Sequence, residues 1–339
     1  MSAPDPDVLA KALDWLDQGR QVALATVVQT WGSAPQPVGS LLVIDAEGAF
    51  MGSVSGGCVE AEVIAQAAEV IASGKPRTLE FGVEDQIAWK VGLACGGAIR
   101  IFVEKLDEKR DAQSGALHRL IGDVQTRCRV ALVTELASGR RSVAHAPNDV
   151  KPEIAAALEE AFRRDKSLAV SGNDGETFIN VFNPTLRLVI VGAVHVAQHL
   201  VLMARALGYQ MVVVDPRAAF ATVERFGDAE IVREWPEAAL SRIGFDERTA
   251  LVVLSHDPRI DDPALIAALS SKAFYVGALG SRKTHAKRVE RLLGAGVGPA
   301  DIERIHAPIG LDIGAEGAAE IALSIIAEIT AEQRGKGQR

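Results

Sequence analysis

The apolar positions change period along the chain, and the change divides it. Val8, Leu9, Leu13 and Leu16 recur at helical spacing and predict a helix over 6–19. QVALATVVQT, rich in β-branched residues, predicts a strand. WGSAPQPVG follows as a loop, because Gly32, Pro35 and Pro37 do not fit regular structure. SLLVID and AFMGSVS predict two strands around Gly48, and a helix is expected from Val59 to Ser73. RTLEFG and AIRIFVEKL predict two more strands, with DQIAWKVG between them as a short helix or a loop. Over 106–180, RVALVTEL, RSVAHA and SLAVSG read as strands around a helix, PEIAAALEEAFRR. FNPTLR, residues 182–187, is the expected linker.

Beyond it the rhythm changes. LRLVIVG, QMVVVDP, EIVREW, TALVVLSHDP and FYVGALGS read as strands separated by helices, and IALSIIAEIT as a late helix. Such alternation implies βαβ units and a parallel sheet. The expected fold is α/β: a mixed α/β domain over 1–183, taking in 106–180, then a Rossmann-like doubly wound parallel-sheet domain over 184–333.

The first βα turn of the second half is GAVHVA, Gly192 to Ala197. A dinucleotide fingerprint, G-x-G-x-x-G/A, needs its middle glycine so that the backbone can approach a pyrophosphate. Here that position is Val194, a branched side chain expected to stand in the phosphates' path. Asp215 closes the second strand, near the place of a ribose-binding acid. A bound nucleotide and a bare scaffold both stay open. Ser255-His256-Asp257 and Gly280-Ser281-Arg282-Lys283 fall at strand ends, where such sheets bind ligands, and together they suit a phosphorylated ligand. In HAPIGLDIGAEG, Pro308, Gly310, Asp312 and Gly314 read as turn chemistry.

The first half carries two glycine-flanked thiols. In SVSGGCVEAEV, Cys58 follows Ser55, Gly56 and Gly57 at the mouth of a predicted helix. A helix start attracts anions and lowers a thiol's pKa below its free value of about 8.5. In LACGG, Cys95 precedes Gly96 and Gly97. If the two loops meet, they form a two-thiol pocket lined by backbone N–H groups. The competing reading is two small, buried, inert cysteines. A structural zinc site is disfavoured, since it commonly uses close cysteine pairs and no C-x-x-C occurs. Cys128, in TRCRVALV, reads as a core residue at a strand start.

Composition narrows the classes. A net charge of −8 disfavours a nucleic-acid partner and an anionic membrane surface. Three cysteines make a disulfide framework unlikely and point to a reducing compartment. MSAPDPDVLAK has neither a basic n-region nor an apolar h-region, so no signal peptide is expected. LRLVIVGAVHVAQHLVLMA is broken by Arg187, His195 and His199 and reads as strand-turn-helix, not a membrane span. A cytoplasmic protein is expected.

Taken in order, GSAPQPVGSLLV, GSVSGGCVEAEV and LACGGAIRIFVE resemble the N-terminal signature of the XdhC/CoxI family, the xanthine dehydrogenase accessory proteins. VIVGAVHVA, VVVDPR, SHDPRID, YVGALGSRKT and HAPIGLDIGAE resemble that family's C-terminal Rossmann domain. The resemblance implies a chaperone more than a classical enzyme, and no catalytic residue. It implies binding of the molybdenum cofactor (molybdopterin) as cargo and its presentation to a cysteine desulfurase for sulfuration. Insertion into a xanthine dehydrogenase-type molybdenum hydroxylase would follow. Cofactor biosynthesis proteins are further implied partners, and a homo-oligomer is expected. By resemblance Cys58 and Cys95 are cofactor contacts, including contact to its molybdenum, with Ser55, Gly56, Gly57, Gly96 and Gly97 as the cradle. Gly192, Asp215, Ser281 and Arg282 are the candidates in the second half. The alternatives are an NAD(P)-dependent oxidoreductase, a persulfide-carrying sulfurtransferase and a pure adaptor.

Overall fold

The computed structural model describes residues 5–57, 59–82, 97–107, 115–173 and 175–336. The expectations for Cys58, DQIAWKVG, Cys95 and Gly96 lie outside the described residues. The chain divides into two compact units, Met1–Pro184 and Thr185–Arg339.

The first unit holds two antiparallel sheets. One joins β1 (Val22–Trp31), β2 (Leu41–Asp45), β3 (Phe50–Gly52), β4 (Arg77–Phe81) and β5 (Ala98–Lys105) in the order β3-β2-β1-β5-β4. The other joins β6 (Val130–Glu135), β7 (Arg140–Ala144), β8 (Leu168–Gly172) and β9 (Gly175–Phe182) in the order β7-β6-β9-β8. The helices are α1 (Pro6–Asp17), α2 (Glu60–Ser73), α3 (Ala116–Gln125) and α4 (Pro152–Arg164). Period-two alternation in β1 explains why that strand is apolar throughout. Val22 and Leu24 join Leu9 of α1 and Leu117 of α3 in one core, while Ala23, Ala25 and Val27 join Val63 and Val70 of α2 in another. Both faces are covered, so burial overrides the usual polar face of an antiparallel sheet.

Several expectations need correction. AFMGSVS is a strand only over Phe50–Gly52, because Ser53 to Gly57 turn to enclose a side chain described below. The amphipathic helix α3 was not among the expected elements. The linker FNPTLR shrinks to residues 183–186: Phe182 ends β9, and Arg187 opens the next strand. Cys128 is exposed, not core; β6 begins two residues later, and the thiol lies 3.6 Å from Thr126 Oγ1.

The second unit is a six-stranded parallel sheet. Its strands are β10 (Arg187–Val191), β11 (Gln210–Val214), β12 (Glu230–Val232), β13 (Thr249–Val253), β14 (Tyr275–Ala278) and β15 (Ile305–His306), in the order β12-β11-β10-β13-β14-β15. Counted within the unit this is 3-2-1-4-5-6, the doubly wound Rossmann order. Leu188 and Ile190 face a core shared with α5 (His195–Ala206) and the late helix α11 (Ala318–Gln333). Val189 and Val191 face the opposite core, with α7 (Pro236–Ile243), α8 (Pro258–Leu269) and α9 (Arg282–Gly294). Two short helices, α6 (Val223–Phe226) and α10 (Pro299–Ile302), complete the unit. No helix of the described chain is long and apolar enough to cross a membrane.

Candidate functional site

The glycine loop before α2 is organised by Glu60, the first residue of that helix. Val54 and Val59 are fully buried and pin the loop's two ends to the α2 core. Between them the chain doubles back. Glu60 Oε1 accepts from Ser53 Oγ at 2.8 Å, Ser55 N at 2.9 Å and Val54 N at 3.2 Å. Oε2 accepts from Gly57 N at 2.9 Å and from Ser55 Oγ. Gly56 N donates to Ser53 Oγ at 2.9 Å, and Val59 N to Ser55 Oγ at 2.9 Å. Burial pushes the Glu60 carboxyl up, yet the Ser55 and Ser53 hydroxyls and the Ser55 amide outweigh it and hold its pKa at about 2.

The loop is therefore a cradle for an anion that belongs to the protein, the Glu60 carboxylate. The amides of Val54, Ser55 and Gly57 face Glu60, which corrects the expectation that they are presented to a ligand. Ser55 is fully buried, while Gly56 and Gly57 form an exposed corner immediately before residue 58. Their φ angles of 73° and 109° explain the glycine pair, since side chains rarely adopt them.

The second motif meets the same neighbourhood through Gly97. A Cβ there would stand 2.5 Å from Ser33 O and 2.9 Å from Trp31 O, so only glycine allows this approach. A Cβ on Gly56 would lie 3.8 Å from Pro35. The described ends of both motifs thus border one segment, residues 31–35. Among the described residues no group of three or more His, Cys, Asp or Glu is placed to hold a metal ion.

In the second unit the first βα turn is closed by Asp215. This carboxylate is fully buried and accepts from Ala193 N at 2.8 Å, Arg217 Nη2 at 2.7 Å, and Arg217 N and Nε at 2.9 Å each. Burial pushes it up, and the Arg217 guanidinium with the two amides brings it below the usual carboxylate range. Gly192, at φ 105°, is pressed on the loop after β13: a Cβ would lie 2.7 Å from Ser255 N. Val194 packs against the α5 and α11 core, so its side chain is a packing group where an obstacle to phosphates was expected. Ser281 caps α9, accepting from Thr284 N at 3.2 Å, and Arg282 is exposed at that helix's first position. Gly310 N and the Tyr275 hydroxyl both donate to Glu328 of α11, at 2.9 and 2.5 Å, which fixes the HAPIGLDIG turn.

Known proteins resemble this chain along almost its whole length. Residues 15–82 match the XdhC and CoxI family, and residues 188–329 match the XdhC Rossmann domain. The molybdenum cofactor insertion chaperone PaoD of Escherichia coli is 30% identical over 322 residues, 95% of this chain and 86% of that protein. The chain belongs to the XdhC/CoxI family. A probable xanthine dehydrogenase subunit of Bacillus subtilis is 29% identical over 320 residues, 93% of this chain and 94% of that one. A crystal structure of a Bacillus halodurans protein described as a xanthine dehydrogenase shares the fold, with TM-score 0.59 and 24% identity over 99% of this chain and 97% of that one.

Two residues of this XdhC/CoxI chain escaped sequence reasoning. Glu60 had a readable signal, an acid three residues after Gly57 at a helix start, which resembles the reach-back arm of a capping box. Arg288 also had one. It stands four residues before the buried Leu292 on α9, so it occupies the helix's core face.

Proposed function

We propose that this chain is a molybdenum cofactor chaperone that holds the cofactor and delivers it to an apo-enzyme of the xanthine dehydrogenase type. The reading is carried by the likeness, across 95% of the chain, to a protein named as a molybdenum cofactor insertion chaperone. The XdhC/CoxI match over 15–82 supports placing the cargo in the first unit. Cys58 and Cys95 are the proposed contacts: thiolates are soft ligands suited to a thiolate-bound metal centre. Gly56 and Gly97 support that choice, because each borders the segment 31–35, and Gly57 carries the chain from Gly56 to residue 58 at an exposed corner. Ser55 acts at one remove, tying Glu60 to the loop. Gly96 is proposed with them as part of the second motif's cradle.

In the finer proposal the bound cofactor is presented to a cysteine desulfurase, gains its terminal sulfur, and is handed to the dehydrogenase in the cytoplasm. The chain's own task is to bind, orient and shield. A dinucleotide reading of the second unit is weakened by Asp215, whose carboxylate would have to leave Arg217 and Ala193 to reach a ribose.

Chain purified from cells that make the cofactor is expected to carry pterin and molybdenum. Cys58→Ala/Cys95→Ala should lose both while keeping its circular dichroism and thermal transition. Molybdenum content unchanged in the double variant would refute the reading.

A further inference from the structure

The second unit contains a cationic site that neither the thiol motifs nor the Rossmann fingerprint uses. It is a cavity of about 270 Å³ between the first turn of α8 and the first turns of α9. Lys283, Lys287, Arg288, Arg291, His256 and Asp261 are among its lining residues. It opens beyond the carboxyl ends of β13 and β14, the edge on which parallel sheets of this kind bind ligands.

Arg288 is the observation that points to a ligand. Its side chain is only 2% exposed. Nη2 donates to Leu279 O at 2.8 Å, but Nε and Nη1 are buried with no hydrogen-bond partner among the described residues. A buried guanidinium with unpaired N–H groups is costly, and native proteins seldom tolerate one without a reason. The nearby acids do not supply the missing partner. Asp261 Oδ1 is held by Ser255 Oγ at 2.6 Å and Ser255 N at 3.3 Å, and burial pushes its carboxyl up, towards the neutral form. Asp262 is bonded to Arg291 at 2.5 and 2.9 Å. Lys283 and Lys287 are exposed at the cavity's rim, and α9 brings its N-terminal turn to the same place. His256, at φ 63°, holds an uncommon backbone conformation on the opposite wall.

We infer that this cavity binds a phosphate group, with Arg288 as its buried fork and Lys283 and Lys287 as its rim. A guanidinium offers phosphate oxygens two parallel N–H donors, from Nη1 with Nη2 or from Nε with Nη2, and the Nη2 bond to Leu279 O uses only one of that nitrogen's two hydrogens. The Ser281 and Arg282 turn contributes the helix start, Lys283 follows it directly, and Lys287 and Arg288 lie one turn or more further on. This site stands on Arg288 and not on the thiols, so it survives if the cofactor reading fails. Two sources supply the chemistry: the phosphate of a phosphorylated pterin, or that of a free nucleotide.

The test is a calorimetric titration of the full chain with inorganic phosphate at constant ionic strength, with chloride as the control. Saturable binding is expected, about tenfold weaker in Arg288→Met and in Lys283→Ala/Lys287→Ala. The lysines are exposed, so the second variant keeps the test valid if the first does not fold. Cys58→Ala/Cys95→Ala should bind phosphate as the native chain does. A pterin monophosphate and adenosine monophosphate, titrated in parallel, separate the sources: whichever binds more tightly and loses that binding in the same variants is the physiological class. Absence of saturable phosphate binding, or equal binding in the native and lysine-substituted chains, would overturn the site.

Discussion

The two glycine turns of this protein are closed in the same way with different means. Before α2, Glu60 takes its hydrogen bonds from hydroxyls and amides. After β10, Asp215 takes two amides and a guanidinium. In each turn a helix-start motif that reads as a place for an anionic ligand holds the protein's own carboxylate. The difference lies in exposure and in what is left over. Glu60 is sealed among neutral donors and leaves an open glycine corner beside position 58, whereas Asp215 leans on a cation that is 37% exposed. A third place in the second unit inverts the arrangement: at Arg288 the cation is buried and the described residues do not complete its hydrogen bonds.

Glu60 is where the two turns should differ most in experiment. Its pKa falls from 4.5 to about 2 on folding. A depressed acid stabilises the fold fully above its unfolded value, and that stability, ~3 kcal/mol, is lost as pH falls toward 2. Glu60→Gln should therefore lower stability by about 3 kcal/mol at pH 7. It should also flatten the acid side of the pH–stability curve, which urea denaturation between pH 7 and pH 3 would measure. The Asp215→Asn substitution should act in the same direction by less, about 1–2 kcal/mol, because solvent screens the exposed Arg217. Since Asp215 is likewise held below the usual carboxylate range, its contribution is also lost as pH falls. An Asp215 effect larger than the Glu60 effect would reverse the ranking. Gly57→Ala should have the smallest effect of the three. No described atom lies within 4 Å of a Cβ there, so only the backbone strain at φ 109° remains, about 1 kcal/mol by chemical denaturation.

These turns also show what the sequence could carry. The period switch made the doubly wound half legible, because its strands are continuous apolar runs between amphipathic helices. In the first half, β6 was legible as an apolar run and α4 by its helical period. Helix α3 was missed although its period is present: Ala116, Leu117, Leu120, Ile121 and Val124 share one face, but the segment is only ten residues long and buries fully just the first three. Cys128 was misplaced because a flanking apolar run says nothing about the side on which a pre-strand residue points. The glycines at 56, 57 and 97 were legible as backbone devices, but their partners were not. Glu60 left a local cue in its spacing from Gly57, whereas the approach of the Trp31 and Ser33 carbonyls to Gly97 is tertiary and leaves no local pattern.

The cofactor reading requires the chain carrying Cys58 and the chain carrying Cys95 to converge beside residues 31–35. A dithiol-specific arsenical on the Cys128→Ser chain tests this, with thiol titration and intact mass read together. Convergence predicts one arsenic per chain with both remaining thiols consumed at once. Two thiols that stay titratable, or that react independently with one reagent each, would contradict it.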